Sequence, residues 1–125
     1  MDISFSGIKT AAVNAMSTAR EKGTDYNTAD IAASFQRSVV ETLVNKTMLA
    51  VQRTGIKTVA IAGGVSSNSL LRQRLSEACS NQDVRFICPD PKYCTDNGAM
   101  IACAGYHRLT EAQFSPISLD ASASD

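Results

Sequence analysis

The stretch KTVAIAGGVSSNSLLR, residues 57–72, constrains this chain more than any other. Thr58, Val59, Ala60, Ile61 and Ala62 make a short apolar run rich in β-branched residues, and two glycines follow at once. That pattern predicts a buried strand ending in a tight turn. Ser66, Ser67 and Asn68 are all helix-capping types, and Leu70, Leu71 and Leu75 recur behind them at helical spacing. In α/β proteins a junction of this kind aims unpaired N–H groups and the positive end of a helix at a ligand, usually an anionic one. Gly63 and Gly64 lack a Cβ, so a phosphate or ribose has room against their backbone. The run has neither the full glycine pattern of a dinucleotide fold nor the Gly-Lys-Ser/Thr of a P-loop. A ligand-binding turn and a purely structural one both stay open at this point.

A chain of 125 residues is one domain or part of one. Twelve basic side chains balance twelve acidic ones, so no overall cationic field advertises nucleic acid. Any RNA contact needs a local patch or a partner's charge. Cys79, Cys88, Cys94 and Cys103 form no C-x-x-C pair, and zinc-ribbon spacing is absent. There is no signal peptide and no apolar run near about 18 residues, which argues against a membrane role. The cysteines are expected to be free, buried thiols in a reducing cytoplasm.

Taken in order, Ile3 and Phe5 alternate with polar residues before Gly7, as in an extended segment entering a helix through Ala11, Val13, Met16 and Ala19. Turn-formers at residues 23–27 end that helix, and Thr28 with Asp30 opens a longer one. There Ile31, Phe35, Val39, Leu43 and Met48 step along one face, widened by Val40, Val44, Thr47 and Val51. The helix is expected to run to about Arg53, before Gly55 caps it, and to cover a sheet. The central strand and its helix, residues 64–79, are followed by the polar turn Ser80-Asn81-Gln82-Asp83. A second β-like run, residues 84–88, is stopped by Pro89 and Pro91. Residues 94–98, CTDNG, lead into Ala99, Met100, Ile101, Ala102, Cys103 and Ala104, a small-residue helix suited to close packing. The body is assigned to residues 1–113, and residues 114–125 to a polar, loosely held tail.

The fold class is therefore α/β, in the order α-α-β-α-β-α, with a small parallel, right-handed βαβ unit. Two strands make a poor sheet by themselves. The chain is expected to be a piece of a longer polypeptide, or to pair with a second copy as a homodimer through its exposed strand edges.

SFSGIKT at residues 4–10, IAASFQRSVVETLVNKT at 31–47, AGGVSSNSLLRQRL at 62–75 and CTDNGAMIACAG at 94–105 resemble successive motifs of one family. It is the tRNA threonylcarbamoyladenosine synthases, formerly called O-sialoglycoprotein endopeptidases or glycoproteases. The resemblance implies a two-lobed actin, Hsp70 and sugar-kinase type of fold, of which this chain is an incomplete C-terminal lobe. It also implies an activity, transfer of a threonylcarbamoyl group from threonylcarbamoyl-AMP to N6 of the adenosine beside the tRNA anticodon. By the same resemblance Asn68 contacts the nucleotide part of the substrate, Gly63 and Gly64 line the same cleft, and Asp96 is a metal ligand. An amide can donate to and accept from ribose or base, and a carboxylate oxygen suits a divalent iron or zinc ion. Read without the family, both residues look like plain helix N-caps.

The departures from the family pattern matter as much. The family's other two metal ligands are histidines of an H-x-x-x-H motif, which this chain lacks. Its single histidine, His107, lies eleven residues beyond Asp96, about 16 Å along a helix, too far to share an ion. Also missing is the glycine-rich strand that the family places before SFSG. The isolated chain is thus expected to bind metal weakly or not at all and to be inactive. No catalytic residue is assigned: no general base is evident, and Cys94 has no histidine nearby to activate it as a nucleophile. The family resemblance implies a paralogous partner protein and a small ATPase in bacteria. Two other readings stand beside it: a nucleotide-binding or ATPase-type regulatory module of the same fold, and a metallo-glycopeptidase. The latter has no H-E-x-x-H in its favour.

Overall fold

A computed structural model describes residues 5–112 and 114–120. The elements run α1 (Ser6–Glu21), α2 (Thr28–Thr54), β1 (Thr58–Ala60), α3 (Ser69–Ser80), β2 (Arg85–Ile87) and α4 (Gly98–Thr110). Short 3-10 turns at Gly64–Ser67 and Pro91–Tyr93 follow the two strands. The predicted α/β order holds, and β1 pairs with β2 in parallel, Val59 opposite Phe86, with α3 as the crossover.

Helix α2 carries the widened apolar stripe, and Val40, Met48 and Val51 are its buried members. It ends where Gly55 takes a left-handed φ of 70° and returns its N–H to the Val51 carbonyl at 2.8 Å, the expected glycine stop. It starts at Thr28 as expected, and Asn27 is its cap, the side chain accepting from the Ala29 N–H at 2.9 Å. The core gathers Met48, Val51, Val59, Cys79 and Val84 in one cluster and Val40, Leu71 and Leu75 in another. Val44 and Phe86, both half-buried, pack against each cluster and join them. Each fully buried aliphatic side chain of this kind contributes about 1.5–3 kcal/mol, so α2, α3 and the strand pair form the stable unit.

The outer helices are different. Helix α1 meets α2 through shallow grooves that Ile8, Ala12 and Met16 share with Ile31 and Phe35, and buries no residue. The extended entry expected before it is not seen at Phe5, which is already helical at φ −86°, ψ −15°, while Ile3 lies outside the described residues. Helix α4 was expected to pack closely, yet every residue of it is exposed, Met100, Ile101, Tyr106 and Leu109 included. Small apolar residues permit close packing but do not create a neighbour, and among the described residues the core lies beside α2 and α3 instead. In the 114–125 segment, Phe114, Ile117 and Leu119 are exposed, and residues 121–125 lie outside the described part. No described helix is long and apolar enough to cross a membrane.

Candidate functional site

Because β1 and β2 run parallel, the segments leaving their C-terminal ends emerge at one edge of the sheet, the usual position for a ligand in α/β proteins. The first segment is the glycine turn. Gly63 sits at φ 82°, ψ 172°, a conformation that essentially only glycine adopts, so its backbone dictates the residue. Gly64 is different: its φ is not in that region, and a Cβ there would meet nothing within 4 Å. Nothing among the described residues demands glycine at that position.

The helix was expected to begin behind the capping types Ser66, Ser67 and Asn68, and it does. The chain makes the 3-10 turn between the glycines and the helix, and α3 starts at Ser69. Of the three candidate caps, Asn68 is the one used: its Oδ1 accepts from the Leu71 N–H at 3.0 Å. The open helix N-terminus is therefore closed from within the chain. The Asn68 Nδ2 donor has no hydrogen-bond partner among the described residues. Asn68 also lines a groove of about 300 Å³ with Phe35, Val39, Val40, Val65 and Leu71. Ser66 turns inward and is buried, donating its hydroxyl to the Gly63 carbonyl at 2.6 Å.

The second segment leaves β2 through Pro89 and the Pro91–Tyr93 turn, which Asp90 caps by accepting from the Lys92 N–H at 3.2 Å. In the sequence TDNG, Asp96 looked like a helix cap, but Asn97 holds that role. Its Oδ1 accepts from the Met100 N–H at 2.9 Å, and its Nδ2 donates to the Thr95 carbonyl at 2.8 Å. The Asp96 carboxylate is exposed and has no hydrogen bond or ion pair among the described residues. It does not line the groove at Asn68, so the two residues share a sheet edge rather than one cavity. His107 is exposed in the last turn of α4, set edge-on against the Tyr106 ring.

Arg72, which sequence reasoning gave no role, joins the two segments through Ser66 and Cys94. The Arg72 guanidinium donates from Nε to the Ser66 carbonyl at 2.5 Å and from Nη2 to the Pro89 carbonyl at 2.6 Å and to Cys94 Sγ at 3.1 Å. Cys94 is only 3% exposed. A hydrogen bond from Ser66 is the largest cause that lowers its thiol pKa; Ser67 and Arg72 add to it and burial opposes. The Ser66 hydroxyl has one proton for the Gly63 carbonyl and the sulfur, so the lowering is full only when that proton turns to sulfur. The one sequence signal for Arg72 is its place between Leu71 and Leu75, at the border of the buried face of α3. All four cysteines are free, as expected, but only Cys79 and Cys94 are buried; Cys88 and Cys103 are exposed.

No group of three or more His, Cys, Asp or Glu side chains among the described residues could hold a metal ion. Asp96 is chemically suited to be one ligand, but the described residues do not complete a set around it.

Comparison with known proteins adds the family. Residues 1–103 match the family model described as TsaD: tRNA N6-adenosine threonylcarbamoyltransferase. The chain is 50% identical over 121 residues to the protein of that name from Desulfitobacterium hafniense, covering 97% of this chain and 36% of that protein. It is 49% identical over 120 residues to the one from Caldicellulosiruptor saccharolyticus, covering 96% of the chain and 36% of that protein. A Staphylococcus saprophyticus protein of the same name is 49% identical over 106 residues, 85% of the chain and 31% of its own length. The chain thus spans about a third of the length of the curated relatives it matches, and over that third it belongs to the tRNA N6-adenosine threonylcarbamoyltransferase family.

Proposed function

We propose that this chain serves as the C-terminal lobe of a tRNA N6-adenosine threonylcarbamoyltransferase, part of an actin, Hsp70 and sugar-kinase type of architecture. Its substrates are then threonylcarbamoyl-AMP and tRNA, and its setting the cytoplasm, in bacteria alongside a paralogous partner and a small ATPase. The observation that carries the reading is that the two residues singled out by the family motifs each keep a polar group unspent. Asn68 gives its Oδ1 to the helix and keeps Nδ2, while Asn97 relieves Asp96 of the capping task.

In this reading Asn68 Nδ2 donates to an oxygen of the nucleotide, and the open space above Gly64 lets that nucleotide approach the backbone. Asp96 supplies one oxygen ligand to a divalent iron or zinc ion, whose remaining ligands come from outside the described residues. The chemistry such an ion supplies when bound is polarisation of the transferred carbonyl. On its own the chain binds metal weakly and does not catalyse transfer, because a single carboxylate is too few ligands.

A chimera tests this directly. The matching third of the D. hafniense protein is replaced by this chain, and threonylcarbamoylation of tRNA is measured with the two accessory proteins present. The chimera is expected to be active, Asn68→Ala to raise the KM for threonylcarbamoyl-AMP about tenfold or more, and Asp96→Ala to lose bound metal. A folded chimera that transfers nothing, or an Asp96→Ala variant that keeps its metal, overturns the proposal.

A further inference from the structure

We propose that Arg72 is a positioning residue that locks the turn carrying Asn68 and the loop carrying Asp96 into one fixed relation, an inference that rests on the transferase reading above. Its guanidinium reaches both. Ser66, whose carbonyl takes the Nε proton at 2.5 Å, stands two residues before Asn68. Cys94, whose sulfur takes an Nη2 proton at 3.1 Å, stands two residues before Asp96. The other Nη2 proton goes to the Pro89 carbonyl at 2.6 Å, and Nη1 faces Cys88 Sγ at 3.8 Å.

Little else could hold these segments together. The backbone ladder stops at the bond from Ile61 N–H to the Ile87 carbonyl at 3.0 Å. Beyond it, among the described residues, no backbone hydrogen bond joins residues 62–68 to residues 88–97. The remaining ties are the Ser66 and Ser67 hydroxyls against Cys94, and single hydroxyls lack the reach of a planar fork. Arg72 is half-buried and forms no ion pair with a carboxylate among the described residues, so its charge is met by carbonyl and thiol dipoles of the two segments it bridges. Of its five N–H donors four are already directed at the chain, which leaves it ill-suited to grip a ligand itself. It acts through the residues it holds.

The test is made first on the full 125-residue chain without ligand, comparing amide exchange in the native protein, Arg72→Met and Arg72→Lys. In Arg72→Met the amides of Ser66 and Asn68 and those of Tyr93 and Cys94 are expected to exchange faster together, by about tenfold or more, the loss that follows removal of a charge-assisted hydrogen bond. Amides at residues 48–51 and 75–79 should keep their protection, and alkylation of Cys94 should accelerate while Cys79 stays shielded. A lysine restores the charge but not the fork, so Arg72→Lys should show the same coupled loosening and serves if the methionine variant does not fold. Unchanged exchange in both segments, or a change in only one, overturns the inference. In the chimera, Arg72→Lys is expected to raise the KM for the adenylate and lower metal content together, whereas loss of only one refutes the lock. A chimera inactive even with Arg72 defeats the transferase reading and leaves the exchange comparison to judge the lock.

Discussion

Replacing Asn97 by alanine, and separately Asp96 by alanine, tests which of two adjacent side chains serves helix α4. Asn97 Oδ1 accepts from the Met100 N–H at 2.9 Å, and losing an N-cap of this kind costs about 1 kcal/mol. The Nδ2 bond to the Thr95 carbonyl at 2.8 Å adds about 0.5–1 kcal/mol at an incompletely buried site. Asp96, one residue outside the cap, touches α4 only through the helix dipole, about 0.3 kcal/mol at low salt and less when screened. The readout must be local, because α4 buries none of its residues and its fraying barely disturbs the core. A helix of 13 residues without packing is marginal to begin with. Hydrogen exchange at residues 100–104, read at moderate salt, is therefore the assay. Asn97→Ala should speed it at least about fivefold, and Asp96→Ala by less than about twofold. If Asp96→Ala frays the helix as much as Asn97→Ala does, Asp96 is the cap, and no carboxylate stands free for a ligand.

Two further outcomes follow from the geometry. Gly63→Ala should destabilise the chain by about 1–3 kcal/mol in urea unfolding, since φ 82° with ψ 172° suits only glycine. Gly64→Ala should change stability by less than about 0.5 kcal/mol and yet weaken nucleotide binding in the chimera; equal stability losses at both positions would contradict this. Burial pushes the Cys79 thiol pKa up, so the folded chain holds that proton to higher pH than the unfolded chain does. Its contribution is complete below the ordinary thiol range and declines as pH rises through it toward the raised value. Urea midpoints from about pH 7 to about 10 should therefore converge between the native chain and Cys79→Ala, and a constant gap would remove burial as the cause.

What the sequence revealed depended on whether a residue's neighbours were local. Helix α2 could be read because its stripe of Val40, Val44, Met48 and Val51 repeats along one face, and Gly55 stops it by backbone conformation alone. The strands could be read because β-branched runs abut glycine and proline. Capping was less legible: Thr28 and Asn27, Ser66 to Asn68, and Asp96 and Asn97 are all competent types, and only side-chain geometry selects among them. Arg72 was invisible for another reason, since its partners lie 17 and 22 residues ahead on a different segment. The exposure of α4 was equally hidden, because alanine, methionine and cysteine look the same in sequence whether or not another surface covers them.

The strand pair closes around a single helical crossover, with Thr58 opposite Arg85, and both core clusters draw only on residues from Val40 to Phe86. Every side chain of these two clusters is thus in place as soon as β2 has been synthesised. A chain emerging from the ribosome can collapse around this unit while α4 is still being made, with short loops to close and little time spent as a sticky intermediate. The segment that carries Asp96 then arrives last, onto a scaffold that is already set.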